Sequence, residues 1–254
     1  MTILFDMDLR AARRDRAARS HSDRFLLQRA FDDCLERIDL VARQFDSALL
    51  IGCPHESWPE RLSQYAAVVE VADPGGRFAG LAGGSQVIED EWIPPQGRYD
   101  LVITIGCLDT VNNLPTAFRT IRWAMTANAF FLGAVSGGDT IPQLRRAMQA
   151  ADAVGDAATP HVHPRIEASA VAPLLEVAGF QRPIVDVDRV QVAYSSLPSL
   201  VADLRAMAAT NILISRSRSP LTRAAYRAAK AAFEGPDGER TVETFEILHF
   251  AAWT

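Results

Sequence analysis

Four stretches of this 254-residue chain carry residue types and spacings that could do chemistry. In Ala48-Leu-Leu-Ile-Gly-Cys-Pro-His-Glu56 an apolar run ends in a glycine and a loop, where an α/β sheet presents a nucleotide-like ligand to its next helix. Pro54 and Glu56 stand in that loop where glycine is usual. In Ser136-Gly-Gly-Asp-Thr140 two glycines permit a tight turn with positive φ. Thr140 followed by Gln143 has capping-box spacing, and the free N–H groups of the helix start could receive an anion or a carboxylate. Asp139 beside them suits a cation such as a guanidinium. In Thr159-Pro-His-Val-His-Pro164 two histidines alternate in a proline-bounded loop; with no third ligand evident, a metal is not expected, and His163 is read first as a structural residue of the loop and otherwise as a candidate acid or base. Arg10, Arg13, Arg14, Arg16, Arg19, Arg24 and Arg29 fall close together, with Asp15 and Asp23 as the only acids between them. Such a run is ordinarily a solvated helix face; otherwise it serves an acidic protein partner, RNA, or a lid over a cofactor site.

The elements that must position these groups follow from periodicity. Leu27, Phe31, Cys34, Ile38 and Val41 keep an amphipathic helical spacing, so Cys34 is expected as a small buried apolar residue. Ala48–Ile51 reads as the first strand, followed by a helix over 57–64 capped by Ser57 with Pro59 in its first turn. Ala67–Val71 is the second strand, 86–88 a weak third, and Tyr99–Gly106 a nearly continuous apolar strand suited to burial on both faces. A helix over 114–125, a strand over 129–135, and helices over 141–153 and 168–178 come next, the last ended by Gly179. In the strand over 184–194, Val185 and Val187 are out of phase with Val190 and Val192, which suggests a bulge. Helices over 197–208 and 221–233 and a strand over 241–253 close the chain.

Strands alternating with helices at this spacing predict an α/β fold with a mostly parallel, doubly wound sheet and helices on both faces. The last two strands add an antiparallel edge. Ligands in such sheets lie beyond the carboxyl ends of the strands at the switch in strand order. That rule gathers the Gly52 loop with Cys53, Asp73, Glu89, Asp90 and Gly106–Cys107 around one crevice.

A net charge of −5 and a pI near 5.6 argue against nucleic acid as a bulk partner. Three scattered cysteines give neither a disulfide framework nor a zinc spacing and fit a reducing compartment. No apolar run approaches the ~18 residues of a membrane span, and the N-terminus lacks a signal-peptide core. A cytoplasmic location is therefore expected.

With these pieces placed, the sequence resembles the class I S-adenosylmethionine (SAM)-dependent methyltransferases. It is most similar to the branch of the arginine-hydroxylating complex I assembly factor, with malonyl-carrier-protein O-methyltransferases further off. The resemblance is carried by Phe5-Asp6 with Asp8-Leu9, Val111-Asn-Asn-Leu-Pro115, Gly133-Ala-Val-Ser-Gly-Gly-Asp-Thr140 with Leu144-Arg145, and Thr159-Pro160. It continues through Gly179-Phe180, Asp186, Asp188, Val192, Tyr194, Asp203-Leu-Arg205, Met207 and Asn211. It implies a seven-stranded class I methyltransferase-like sandwich with an antiparallel last strand. An arm and amphipathic helix over 1–44 would precede a methyltransferase-like domain over 45–254.

It further implies SAM as cofactor, Asp73 holding ribose hydroxyls, and Glu89 with Asp90 beside adenine. A protein substrate, such as a complex I subunit, is implied as partner. Asp139, Thr140 and Tyr194 are the catalytic candidates, and Asp6, Arg13, Arg14, Gly138, Asp139 and Arg145 the candidates for contact with substrate or partner. The sequence departs from the family pattern in the cofactor loop: Leu50 stands for an acid, Pro54 and Glu56 for glycines, and Asp109-Thr110 for a His-Trp pair. A non-catalytic descendant that binds a protein partner is the alternative, and an RNA-modifying enzyme a more remote one.

Overall fold

The computed structural model describes residues 3–20, 22–155, 158–235 and 239–254. A seven-stranded sheet runs through its centre, made of β1 (Phe45–Ile51), β2 (Ala66–Asp73), β3 (Ser85–Gln86), β4 (Tyr99–Ile105), β5 (Met125–Ser136), β6 (Gln181–Tyr194) and β7 (Thr241–Trp253). The strand order is β3-β2-β1-β4-β5-β7-β6, with β7 antiparallel to both neighbours and the rest parallel. Nine α-helices are described: α1 (Met7–Ala17), α2 (Phe25–Val41), α3 (Trp58–Leu62), α4 (Gly76–Leu81), α5 (Leu114–Ala124), α6 (Pro142–Asp152), α7 (Ala168–Val177), α8 (Leu197–Ala206) and α9 (Arg223–Phe233).

Period-two alternation divides the core into two layers. Leu50, Ile103, Leu132 and Ile247 point to the side covered by α2, α6, α8 and α9. Leu49, Val102, Phe131 and Leu248 point to the side covered by α5 and α7. Both faces being covered explains why β4 is buried along its whole length. The α2 stripe forms as its spacing predicts: Phe31, Cys34 and Ile38 are buried, and Phe31 stacks on Trp58 at 4.2 Å.

Several local expectations are corrected. The capping box at α6 does not form. Ile141, at φ 54°, takes the cap position, while the Thr140 hydroxyl donates to the Glu246 carbonyl and accepts from its N–H. The helix start is satisfied instead by Glu243 on β7, whose carboxylate accepts from Gln143 N–H at 3.2 Å and Leu144 N–H at 2.9 Å. Gly137 and Gly138 are not at positive φ; a Cβ on either would strike the Glu246 or Glu167 carboxylate. Ser57 makes no cap bond and pairs with His55 Nδ1.

The bulge expected among the β6 valines lies elsewhere. Pairing with β7 is unbroken from Ile184 to Tyr194, and the irregularity falls at 181–184, where Arg182 has φ 51°. The valines change phase because Val185 packs on the α5/α7 side and Val190 and Val192 on the other.

Candidate cofactor crevice and cavity

The switch in strand order lies between β1 and β4, so the crevice forms over their carboxyl ends. Gly52 ends β1 at φ 83°, and a Cβ there would lie 2.2 Å from the Ile105 carbonyl oxygen, so only glycine fits. Gly106 ends β4 beside it, with Leu27 of α2 packed where its side chain would be. Asp73, the last residue of β2, is fully buried. Its carboxylate accepts from the N–H groups of Cys53 at 2.8 Å and Gly75 at 2.7 Å. Glu89, after β3, is fully buried as well. The structure thus brings Gly52, Cys53, Asp73, Glu89 and Gly106 together, and sets Asp90 apart: its carboxylate accepts from Asn113 N–H at the start of α5.

Helix α1 fills the crevice. Asp6 caps it through Leu9 N–H, and Arg10 and Arg14, one turn apart, point from the same face into the sheet. Arg14 donates to both Asp73 oxygens at 2.7 and 2.6 Å. Arg10 donates to both Glu89 oxygens at 2.7 and 2.8 Å and to the Cys107 carbonyl at 2.6 Å. The two arginines are only 4% and 3% exposed, so the solvated face expected of the arginine run is corrected for these positions. Burial alone would lower their pKa, but pairing with Glu89 and Asp73 outweighs it and raises both. Burial, then Asp73, pushes the Cys53 thiol up to about 12.

Beside the crevice, over the ends of β4, β5 and β7, lies a cavity of about 90 Å³ walled by α2, α8 and the 163–165 loop. That is well below the ~300–1,000 Å³ of small-molecule sites. Its walls are largely apolar (Leu26, Met207, Ile212, Phe245), and its charged and titratable members are Arg10 and Arg14 of α1 with Asp109, His163, Arg165 and Glu246. Arg165 donates to Asp109 at 2.5 Å, and its Nε has no partner among the described residues. His163 accepts at Nε2 from Ile212 N–H at 2.9 Å. Burial, and then Arg165, lowers its pKa to about 4. It is therefore neutral at pH 7, and its Nε2 lone pair is already committed.

The remaining candidates do not converge. Asp139 is exposed and pairs with Arg189 at 3.2 Å. Thr140 is bound to the β7 backbone, and the Tyr194 hydroxyl donates to Asp203 at 2.9 Å. Asp6 pairs with Arg216, and Arg145 reaches the His163 carbonyl. Arg13 is half-buried, and its Nη1 has no partner among the described residues. His161 turns away from His163 to Asp152. Among the described residues no three metal-ligating side chains gather, and no helix is long and apolar enough to cross a membrane. The sequence reading missed Arg10, Glu243 and the Asp109–Arg165 pair. For Arg10 the i, i+4 spacing to Arg14 was the available signal; for the others there was none.

Strand order, the antiparallel β7 and acids at the ends of β2 and β3 define the class I methyltransferase fold. A putative methyltransferase from Bacillus halodurans has this fold at TM-score 0.59 and 10% identity, covering 86% of this chain and 97% of its own. So does phosphoethanolamine N-methyltransferase 2 of Haemonchus contortus in complex with S-adenosyl-L-methionine, at TM-score 0.50 and 11% identity over 84% of this chain and 49% of its own. SAM, the cofactor expected from the sequence, is thus the one this fold holds in a solved structure.

In sequence the chain is similar to the mitochondrial arginine-hydroxylase NDUFAF5. The rat protein is 28% identical over 98% of this chain and 77% of its own length, and the human protein 27% over 98% and 76%. A malonyl-[acyl-carrier protein] O-methyltransferase of Xylella fastidiosa is 31% identical over 61% of this chain and 51% of its own. No family model matches. The rat, mouse, zebrafish and human relatives are mitochondrial proteins, a finding that overturns the cytoplasmic location expected from cysteine usage and from the lack of a membrane-span run or signal-peptide core.

The crevice meets only half of what adenosine requires. Asp73 stands 21 positions past Gly52, close to the ~20 at which an acid takes ribose hydroxyls in doubly wound folds. Glu89 stands beyond the next strand. With α1 seated, however, each oxygen of both carboxylates already accepts from an arginine of that helix.

Proposed function

We propose that this chain is a SAM-methyltransferase-like assembly factor that acts on a protein substrate during assembly of respiratory complex I. The observation that carries the reading is similarity to an arginine hydroxylase over 98% of the chain, arm included. It is joined to a strand order that leaves buried acids at the cofactor crevice. SAM, when bound, supplies the activated group; this chain supplies orientation, with Asp73 for ribose and Glu89 for adenine. The small, mostly apolar cavity next to the crevice suits the tip of one substrate side chain rather than a free metabolite.

The test is a strain lacking the chain, with assembled complex I measured on native gels and arginines of its subunits examined by mass spectrometry. Loss of assembled complex together with loss of an arginine modification supports the enzymatic reading. A second reading, a non-catalytic factor that binds a protein, is favoured by the filled crevice and by Pro54 and Glu56 in the loop. Loss of complex with all modifications intact selects it. A normal complex I with normal modifications sinks both.

A further inference from the structure

We propose that α1 is an internal ligand of the cofactor crevice, so that seating of α1 and binding of SAM exclude one another. The proposal rests on reading the crevice as a SAM site and adds how that site is regulated. Arg10 and Arg14 use every oxygen of Glu89 and Asp73 through paired hydrogen bonds of 2.6–2.8 Å. These carboxylates stand where the ribose and the base of a nucleoside would come. A ribose hydroxyl makes weaker hydrogen bonds than a bidentate guanidinium does, so it does not take the carboxylate while the arginine keeps its place.

The crevice is also shaped for the helix. A Cβ on Gly75, just past Asp73, would lie 2.6 Å from the Arg14 Cβ, so the missing side chain makes room for α1. Arg77 N–H donates to Asp15 of α1 at 2.8 Å. Arg24 donates to the carbonyls of Ala17 and Ser20 at the helix's far end, and its guanidinium lies over the Phe78 ring with that of Arg14. Each contact holds the helix over the site.

The latch is nevertheless reversible in principle. Taking each charge out of water carries a large penalty, which offsets much of the attraction within a buried pair and leaves release of the helix within reach. On release, both arginines and both acids regain water. The seated form then lowers apparent SAM affinity by the fraction of molecules in which α1 is out.

The test compares SAM binding by calorimetry in the full chain and in two variants. Arg10→Gln with Arg14→Gln removes the guanidinium ligands. Gly75→Ala leaves both arginines and both acids intact but crowds Arg14, and so reports even if the first variant is poorly folded. Each should bind SAM ~10–100-fold more tightly than the unmodified chain. In the unmodified chain, saturating SAM should speed amide exchange over 7–17. If the unmodified chain binds SAM as tightly as the variants while α1 keeps its protection, the latch is overturned and the cofactor reading stands. If no form binds SAM, the cofactor reading falls and the latch with it.

Discussion

His163 offers a test of the cavity's electrostatics with a magnitude that can be worked through. The ring is held neutral by burial and by Arg165, with its pKa lowered from 6.5 to about 4. Protonation would turn Nε2 from an acceptor into a donor facing Ile212 N–H, 2.9 Å away. The unfolded chain binds this proton below about pH 6.5 and the folded chain only near 4, so over that window the unfolded state holds more protons. Stability must therefore rise with pH there, and is lost as pH falls from 6.5 towards 4. For a single group with these two values the contribution changes by ~0.2 kcal/mol at pH 7 and ~2 kcal/mol at pH 5, a loss of about 2 kcal/mol on acidification.

Asp33 does not confuse the reading. Its pKa is depressed to about 2 by His249 and Arg37 against the opposing effect of burial, so its own window lies below pH 4. Urea unfolding followed by circular dichroism at pH 7 and pH 5 measures the change; with m near ~2–3 kcal/mol/M it appears as a midpoint shift of roughly 0.7–1 M. His163→Gln keeps an acceptor near Nε2 but does not titrate, and should lose that part of the shift. Equal shifts in the two proteins would refute the assignment of a neutral, accepting His163.

Two further outcomes concern the start of α6 and the three cysteines. Glu243→Ala strands Gln143 and Leu144 N–H at the start of α6; at ~1–3 kcal/mol per buried unsatisfied donor, less the relief of removing a buried carboxylate, urea midpoints should show a loss of ~2–4 kcal/mol. A change within ~0.5 kcal/mol, typical of surface sites, would show that α6 does not depend on this cap. Cys34, Cys53 and Cys107 are buried, and burial first of all raises their pKa. An aromatic disulfide reagent at pH 7.5 should therefore label none of them until urea is added; fast labelling of Cys53 would mean that the β1 loop is open.

The arrangement of elements was legible because it is written in local periodicity. The apolar run of β4, the α2 stripe from Leu27 to Val41 and the strand–helix alternation each depend on a few neighbouring residues, and the doubly wound sheet follows from them. The crevice was legible too, since topology alone sends the ends of β1, β2 and β4 to one place. The occupant of the crevice was not legible. Arg10 and Arg14 lie 79 and 59 positions from Glu89 and Asp73; their i, i+4 spacing puts them on one helix face, but nothing local says that this face of a seven-arginine run turns inward.

The same limit applies at α6. Thr140 and Gln143 had the local spacing of a cap, yet Glu243, 100 residues away, took the N–H groups because β7 passes alongside. Sequence periodicity determines which face of each element is buried. Only the tertiary structure decides which charges meet once those faces are joined, because a buried charge finds its partner through space and not along the chain.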